Sequence, residues 1–176
     1  YGFRGADLHA YLATRAKPRI AVSFEPELLE TGGGLKRAMP LLAQAETVIT
    51  MNADAVWAGP NPLKPLLEAW RPGVDGLLVL VPKDRTVGHT GPGDFFRDEA
   101  GVLCRRGNAG SAPFVYTGLQ ILRTAGLHDI QAEKFSLNLL WDTMLADGRL
   151  HGVVWSGRWA DVGRPDCIPL AEAMLA

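Results

Sequence analysis

The sequence predicts an α/β fold on a mostly parallel mixed sheet, from two observations. Apolar runs rich in Val and Ile alternate with helical stretches for most of the chain, and those runs are continuously apolar, as in strands covered on both faces. The 176 residues fit one domain spanning 1–176. Leu8, Tyr11 and Leu12 recur at helical spacing over 6–15, before Lys17-Pro18 stops the pattern. Strands are expected at 19–24, 47–51, 76–81, 114–122 and 150–155, and helices at 34–43, 62–70, 136–146 and 165–175. Ser136 suits a cap for the third of these helices, and Pro165 suits the first turn of the last. Residues 95–103 flank a turn at Gly101 and predict a small antiparallel hairpin. Residues 83–93 hold three glycines and no apolar period, so they form a loop that is either functional or a plain surface excursion.

Composition narrows the class. With 47% hydrophobic and 21% charged residues the chain is not intrinsically disordered. Lys plus Arg number 18 against 19 Asp plus Glu, a net charge of −1, and the cations are scattered, which excludes a nucleic-acid partner held by charge. Cys104 and Cys167 stand in unrelated contexts and are expected as reduced thiols rather than a disulfide or zinc pair. No run of about 18 apolar residues occurs, and the first residues lack the basic start and apolar middle of a signal peptide, so a cytoplasmic protein without a membrane partner is expected.

Four segments carry candidate chemistry. Leu29-Glu30-Thr31-Gly32-Gly33-Gly34 stands before a predicted helix, and three successive glycines cost backbone entropy that something must require. Close approach of an anion or a nucleobase edge to bare amides is one reason; a tight turn is the other. The strand ending at Met51 delivers Asn52 and Asp54 to the carboxyl edge of the sheet, where ligands of open α/β sheets collect. Asp54 is there a candidate Mg²⁺ ligand, or the residue of an Asx turn. Asp161, after the last strand, would complete a carboxylate pair or cap the following helix. Tyr116, Thr117 and Gly118 interrupt an apolar strand, suiting either sugar recognition or a bulge. The four histidines show no metal spacing, and no G-x-S-x-G elbow supports covalent hydrolysis.

Taken in order, Glu30-Thr31-Gly32-Gly33-Gly34, Asn52-Ala53-Asp54, Gly93-Asp94-Phe95, Tyr116-Thr117-Gly118 and Trp159-Ala160-Asp161-Val162-Gly163 resemble the sugar-1-phosphate nucleotidyltransferases. They are most similar to the N-acetylmuramate-1-phosphate uridylyltransferase and mannose-1-phosphate guanylyltransferase-like branch. The resemblance implies a three-layer Rossmann-like fold that joins a sugar 1-phosphate to the nucleotidyl group of UTP or GTP, releasing pyrophosphate. It implies that Asp54 and Asp161 hold Mg²⁺ and that Glu30, Thr31, Gly32, Gly33 and Gly34 meet the nucleotide. Asn52, Gly93, Asp94, Tyr116, Thr117 and Gly118 would line the sugar-phosphate pocket. A role in supplying cell-wall nucleotide sugar follows from the branch.

The family's opening strand and its G-x-G-T-R-x-x-P triphosphate loop, with the Pro-Lys-Pro segment after it, have no counterpart between Tyr1 and Pro18. The expectation is therefore an N-terminally incomplete chain lacking the first strand. Two rival readings stand beside nucleotidyl transfer. Asn52-Ala53-Asp54 also has the spacing of a glycosyltransferase metal motif, and the missing loop would suit a non-catalytic nucleotide or sugar-phosphate binding module.

Overall fold

A computed structural model describes residues 5–176. Tyr1–Arg4 lie outside that range, and with them part of the start that was expected to lack a leader signal. The described chain falls into two compact units: residues up to Glu46 with Thr124–Asp142, and Thr47–Arg123 with Thr143–Ala176.

The second unit is built on β3 (Gly76–Pro82) and β7 (Phe114–Arg123), whose apolar runs are buried almost throughout. Leu77, Leu78, Val79, Leu80 and Val81 are each at most 1% exposed, so every one contributes about 1.5–3 kcal/mol of burial. The six-stranded sheet runs β6 (Leu103–Arg105), β5 (Phe95–Arg97), β7, β3, β8 (Leu150–Val154), with β1 (Thr47–Met51) also paired to β7. Helix α3 (Leu63–Ala69) sets the fully buried Leu66 among Val79, Val81, Val115, Leu119 and Trp155. A three-stranded sheet orders β2 (Ala55–Ala58), β9 (Arg158–Asp161) and β4 (Thr86–Val87). One of its faces packs Val56, Ala58, Val87 and Ala160 on Ala171 and Met174 of α4 (Ile168–Leu175).

The mixed sheet and the strand–helix alternation agree with the sequence, but the parallel share is small. Among the described residues β3–β8 is the one parallel pairing of the larger sheet. The reason is the hairpin expected over 95–103, which extends to 105. It leads the chain straight back along β5 into β7, which therefore runs antiparallel to β1, β3 and β5.

In the first unit, α1 is Gly5–Ala13 and α2 is Glu30–Ala38, continued by a 3₁₀ turn at Met39–Leu42. Two expectations are corrected here. Residues 19–24 form no strand: no described strand pairs with them and most are exposed, and an apolar run without a neighbouring ladder has nothing to hold it extended. The second helix starts at Glu30 rather than at 34, so the glycine triplet lies in its first turns.

Those glycines are needed for packing. A Cβ on Gly33 would sit 2.2 Å from the Glu133 carbonyl oxygen, and one on Gly32 would strike the Phe135 ring at 2.4 Å. Gly33→Ala therefore has to displace backbone, and we expect a loss of about 1–3 kcal/mol, read as a fall of several degrees in Tm. Gly110→Ala, which meets open space, is the control expected to leave Tm within about a degree.

Candidate active site

Asp54 and Asp161 lie far apart in sequence and are set side by side by backbone pairing. β2 and β9 run antiparallel with Ala55 opposite Asp161, and the Val162 N–H donates to the Asp54 carbonyl at 2.9 Å. Gly163 closes the arrangement. Its N–H donates to Asp161 Oδ1 at 2.9 Å, and a Cβ there would stand 3.1 Å from that oxygen and 3.2 Å from Asp54 Oδ2. The missing side chain thus leaves open a gap that both carboxylates reach. Among the described residues neither carboxylate is in an ion pair. Two unpaired carboxylates beside one gap repel unless a cation enters, and an all-oxygen donor set suits Mg²⁺, which takes one or two protein carboxylates and fills its shell with phosphate and water. Asp161 does not cap the following helix, whose start carries no side-chain cap; one of its oxygens instead holds the Gly163 amide. Among the described residues no group of three or more His, Cys, Asp or Glu converges.

Asn52 continues β1, and its N–H donates to the Gly118 carbonyl at 2.9 Å. Gly118 sits at φ +83 in a bulge where the β3–β7 register slips between Leu78 and Leu80, and a Cβ on it would lie 2.7 Å from Asn52 Cβ. The bulge reading of this glycine holds, and what approaches the bare backbone is Asn52. Thr117 is fully buried and donates its hydroxyl to the Val79 carbonyl at 2.8 Å, so its polar group serves the core. The Tyr116 N–H donates to Asp94 Oδ2 at 2.8 Å. Burial raises the Tyr116 phenol far above its ordinary value, and its hydrogen bond with Thr50 draws it partly back, so the hydroxyl stays neutral at physiological pH. Gln120, also buried, donates its side-chain amide to Thr50 Oγ1 at 3.0 Å. Sequence reasoning missed Thr50 and Gln120, and named Gly163 only as part of a motif; the one available signal was a glutamine inside an apolar strand.

Asp94 is exposed but engaged along its backbone. Its N–H donates to Phe114 O at 2.7 Å, its carbonyl accepts from Arg106 N at 2.8 Å, and Arg106 Nε reaches the Gly93 carbonyl at 3.1 Å. Gly93 holds φ +88 with the Ala112 carbonyl 2.1 Å from where a Cβ would be. A line of neighbours therefore runs from Asp161 through Asp54, Asn52, Gly118 and Tyr116 to Asp94, all in the second unit.

Glu30–Gly34 belong to the first unit. Gly32 and Gly33 are buried, and their amides both donate to the Phe135 carbonyl, at 2.9 and 3.0 Å. The expectation that these bare amides await a ligand is corrected: the chain's own segment occupies them. Thr31 Oγ1 accepts from Leu137 N at 3.0 Å while the residue stays exposed, and Glu30 is exposed at φ +62, a strained conformation of the kind that gathers at functional sites. Among the described residues no helix is long and apolar enough to cross a membrane.

No family model matches the chain. It is 36% identical, over 97% of its length and 72% of the relative's, to the N-acetylmuramate alpha-1-phosphate uridylyltransferase of Caulobacter vibrioides. It is similar to the crystal structure of HddC from Yersinia pseudotuberculosis complexed with GMP-PN, with TM-score 0.76 and 19% identity over 98% of this chain and 75% of that one. A putative glucose-1-phosphate thymidylyltransferase from Bacillus anthracis, solved in complex with a sucrose, gives TM-score 0.72 and 12% identity over 96% and 71%. At these identities the two solved structures establish the fold alone, which is Rossmann-like and α/β with a mixed sheet.

The carboxylate gap makes a direct prediction. Saturating Mg²⁺ is expected to raise the Tm of the wild-type chain and to leave Asp161→Ala unmoved, because a ligand stabilises only the state that binds it. In EDTA, Asp54→Asn is expected to be at least as stable as wild type, since it removes one of two neighbouring like charges.

Proposed function

The chain belongs to the sugar-1-phosphate nucleotidyltransferases, and from that premise we propose that it works as one domain, transferring UMP from UTP to N-acetylmuramate α-1-phosphate with Mg²⁺. The observation that carries this reading is the Asp54–Asp161 gap beside Gly163. UTP is preferred over GTP, and the acceptor chosen, because the Caulobacter relative with that activity is 36% identical over 97% of this chain. A cytoplasmic place and a cell-wall role go with an N-acetylmuramate product.

An oxygen of the sugar phosphate attacks the α-phosphorus; the new P–O bond forms as the bond to the bridging oxygen breaks, and pyrophosphate departs with the electron pair. The chain needs no nucleophile of its own. Its work is to hold two anions in line. Asp54 and Asp161 would hold Mg²⁺, which when bound offsets the charge of the phosphates. Asn52 and Asp94, with the neutral Tyr116, would set the sugar phosphate, Asn52 resting on Gly118 and Tyr116 tied to Asp94. Gly93 and Thr117 hold the backbone of that wall. Glu30 and Thr31 would meet the nucleotide from their exposed side, with Gly34 beside them and with Gly32 and Gly33 bracing the turn from behind.

The test is pyrophosphate release from a panel of nucleoside triphosphates and sugar 1-phosphates. UTP with N-acetylmuramate α-1-phosphate is expected to give the highest kcat/KM, with activity lost in EDTA. Sugar transfer from a nucleotide sugar without pyrophosphate release would point to a glycosyltransferase instead, and binding without turnover to a module. Asp54→Ala and Asp161→Ala are each expected to lower kcat by at least about 100-fold without loss of folding, as judged by circular dichroism. Wild-type turnover in either variant would sink the metal assignment.

A further inference from the structure

The loop between β4 and β5 joins two parts of this site. Its first residue, Gly88, holds φ +75 directly after Val87, which pairs with Ala160, and a Cβ on it would lie 3.2 Å from the Asp161 carbonyl oxygen. Its last residues are Gly93 and Asp94, tied to Ala112 and Tyr116. The loop is thus anchored beside the carboxylate pair at one end and beside the sugar-phosphate wall at the other.

Between those anchors stands His89. Its ring lies 6.1 Å, centroid to centroid, from that of Trp159, the residue two before Asp161 on β9. His89 Nε2 is buried with no hydrogen-bond partner, as are Nε1 of Trp159, a residue only 6% exposed, and Nε1 of Trp57 opposite it on β2. A polar ring nitrogen left unpaired is costly to bury, and the one on His89 points to a missing partner. The indole N–H only donates, while the imidazole nitrogen either donates or accepts. An uncharged oxygen that can do both, such as a sugar hydroxyl, satisfies the imidazole nitrogen in either tautomer. What covers His89 Nε2 is Gly91: a Cβ there would stand 2.6 Å from it, so the cover is bare backbone in a glycine-rich loop.

We infer that His89 is a specificity-determining residue for the sugar substrate, its Nε2 hydrogen-bonding a sugar hydroxyl when the 88–93 loop lifts Gly91 away. The inference rests on the nucleotidyl-transfer reading and concerns the acceptor alone. The test compares His89→Phe, which keeps a ring without nitrogen, with His89→Gln, which keeps a hydrogen-bonding group near the place of Nε2. His89→Phe is expected to raise KM for the sugar 1-phosphate about five- to tenfold, the span of one uncharged hydrogen bond, while KM for UTP and the Tm hold. His89→Gln is expected to recover most of that loss.

An unchanged sugar-phosphate KM in His89→Phe would mean that the nitrogen serves an internal water only, and would overturn the inference. A joint rise in both KM values with a lowered Tm would make His89 structural and overturn it too. Wild-type protein that releases no pyrophosphate from any substrate pair would instead overturn the reading on which the inference rests.

Discussion

The site depends on one short backbone pairing. β2 and β9 exchange only a few residues, yet the Val162 N–H on the Asp54 carbonyl fixes the two carboxylates at a common gap. Like charges would not stay there of their own accord, so the ladder and the packed sheets must hold them. Trp57 and Trp159 face each other across that ladder, and Trp57 packs edge-on against Trp155 at 5.0 Å. On the opposite face Val56 and Ala160 bury against α4. Apolar burial on both faces of the small sheet thus supports a polar arrangement at its end, an ordering of strong support and weak site that suits cation binding.

The same logic shapes the wall proposed for the sugar phosphate. β7 is buried over most of its length, and its register against β3 slips between Leu78 and Leu80. The bulge at Gly118 absorbs the slip, and the Thr117 hydroxyl satisfies the Val79 carbonyl inside the core, where an unpaired group would be costly. Tyr116 is then held from two sides, by Asp94 at its amide and by Thr50 at its hydroxyl. The polar groups of this wall are engaged with each other.

The glycine-rich turn shows how one sequence signal admits two causes. Bare backbone was required, but the close neighbour is the chain's own 133–137 segment rather than a ligand. Close approach by protein and by ligand impose the same steric demand, since both exclude a Cβ, and the sequence carries the demand without its source. The positive φ of Glu30 and the exposed side of Thr31 are what remain for a ligand.

The sequence by itself determined the fold class, the runs that became β1, β3, β7 and β8, the hairpin over 95–103, and the candidate residues Asn52, Asp54, Gly118 and Asp161. These are legible because burial period, turn chemistry and strand-end polarity are local properties. The tertiary structure alone decided that β7 runs antiparallel to β1, β3 and β5, and that residues 19–24 stay outside the sheet. It alone showed that β2, β4 and β9 exist at all, since strands this short form only when distant segments meet. It also decided that Thr117 points into the core and that Gly163 opens the gap between the carboxylates. The physical reason is common to all of these: each depends on which distant backbone supplies the hydrogen-bond partner or the steric wall, and no window of sequence contains both sides of such a contact.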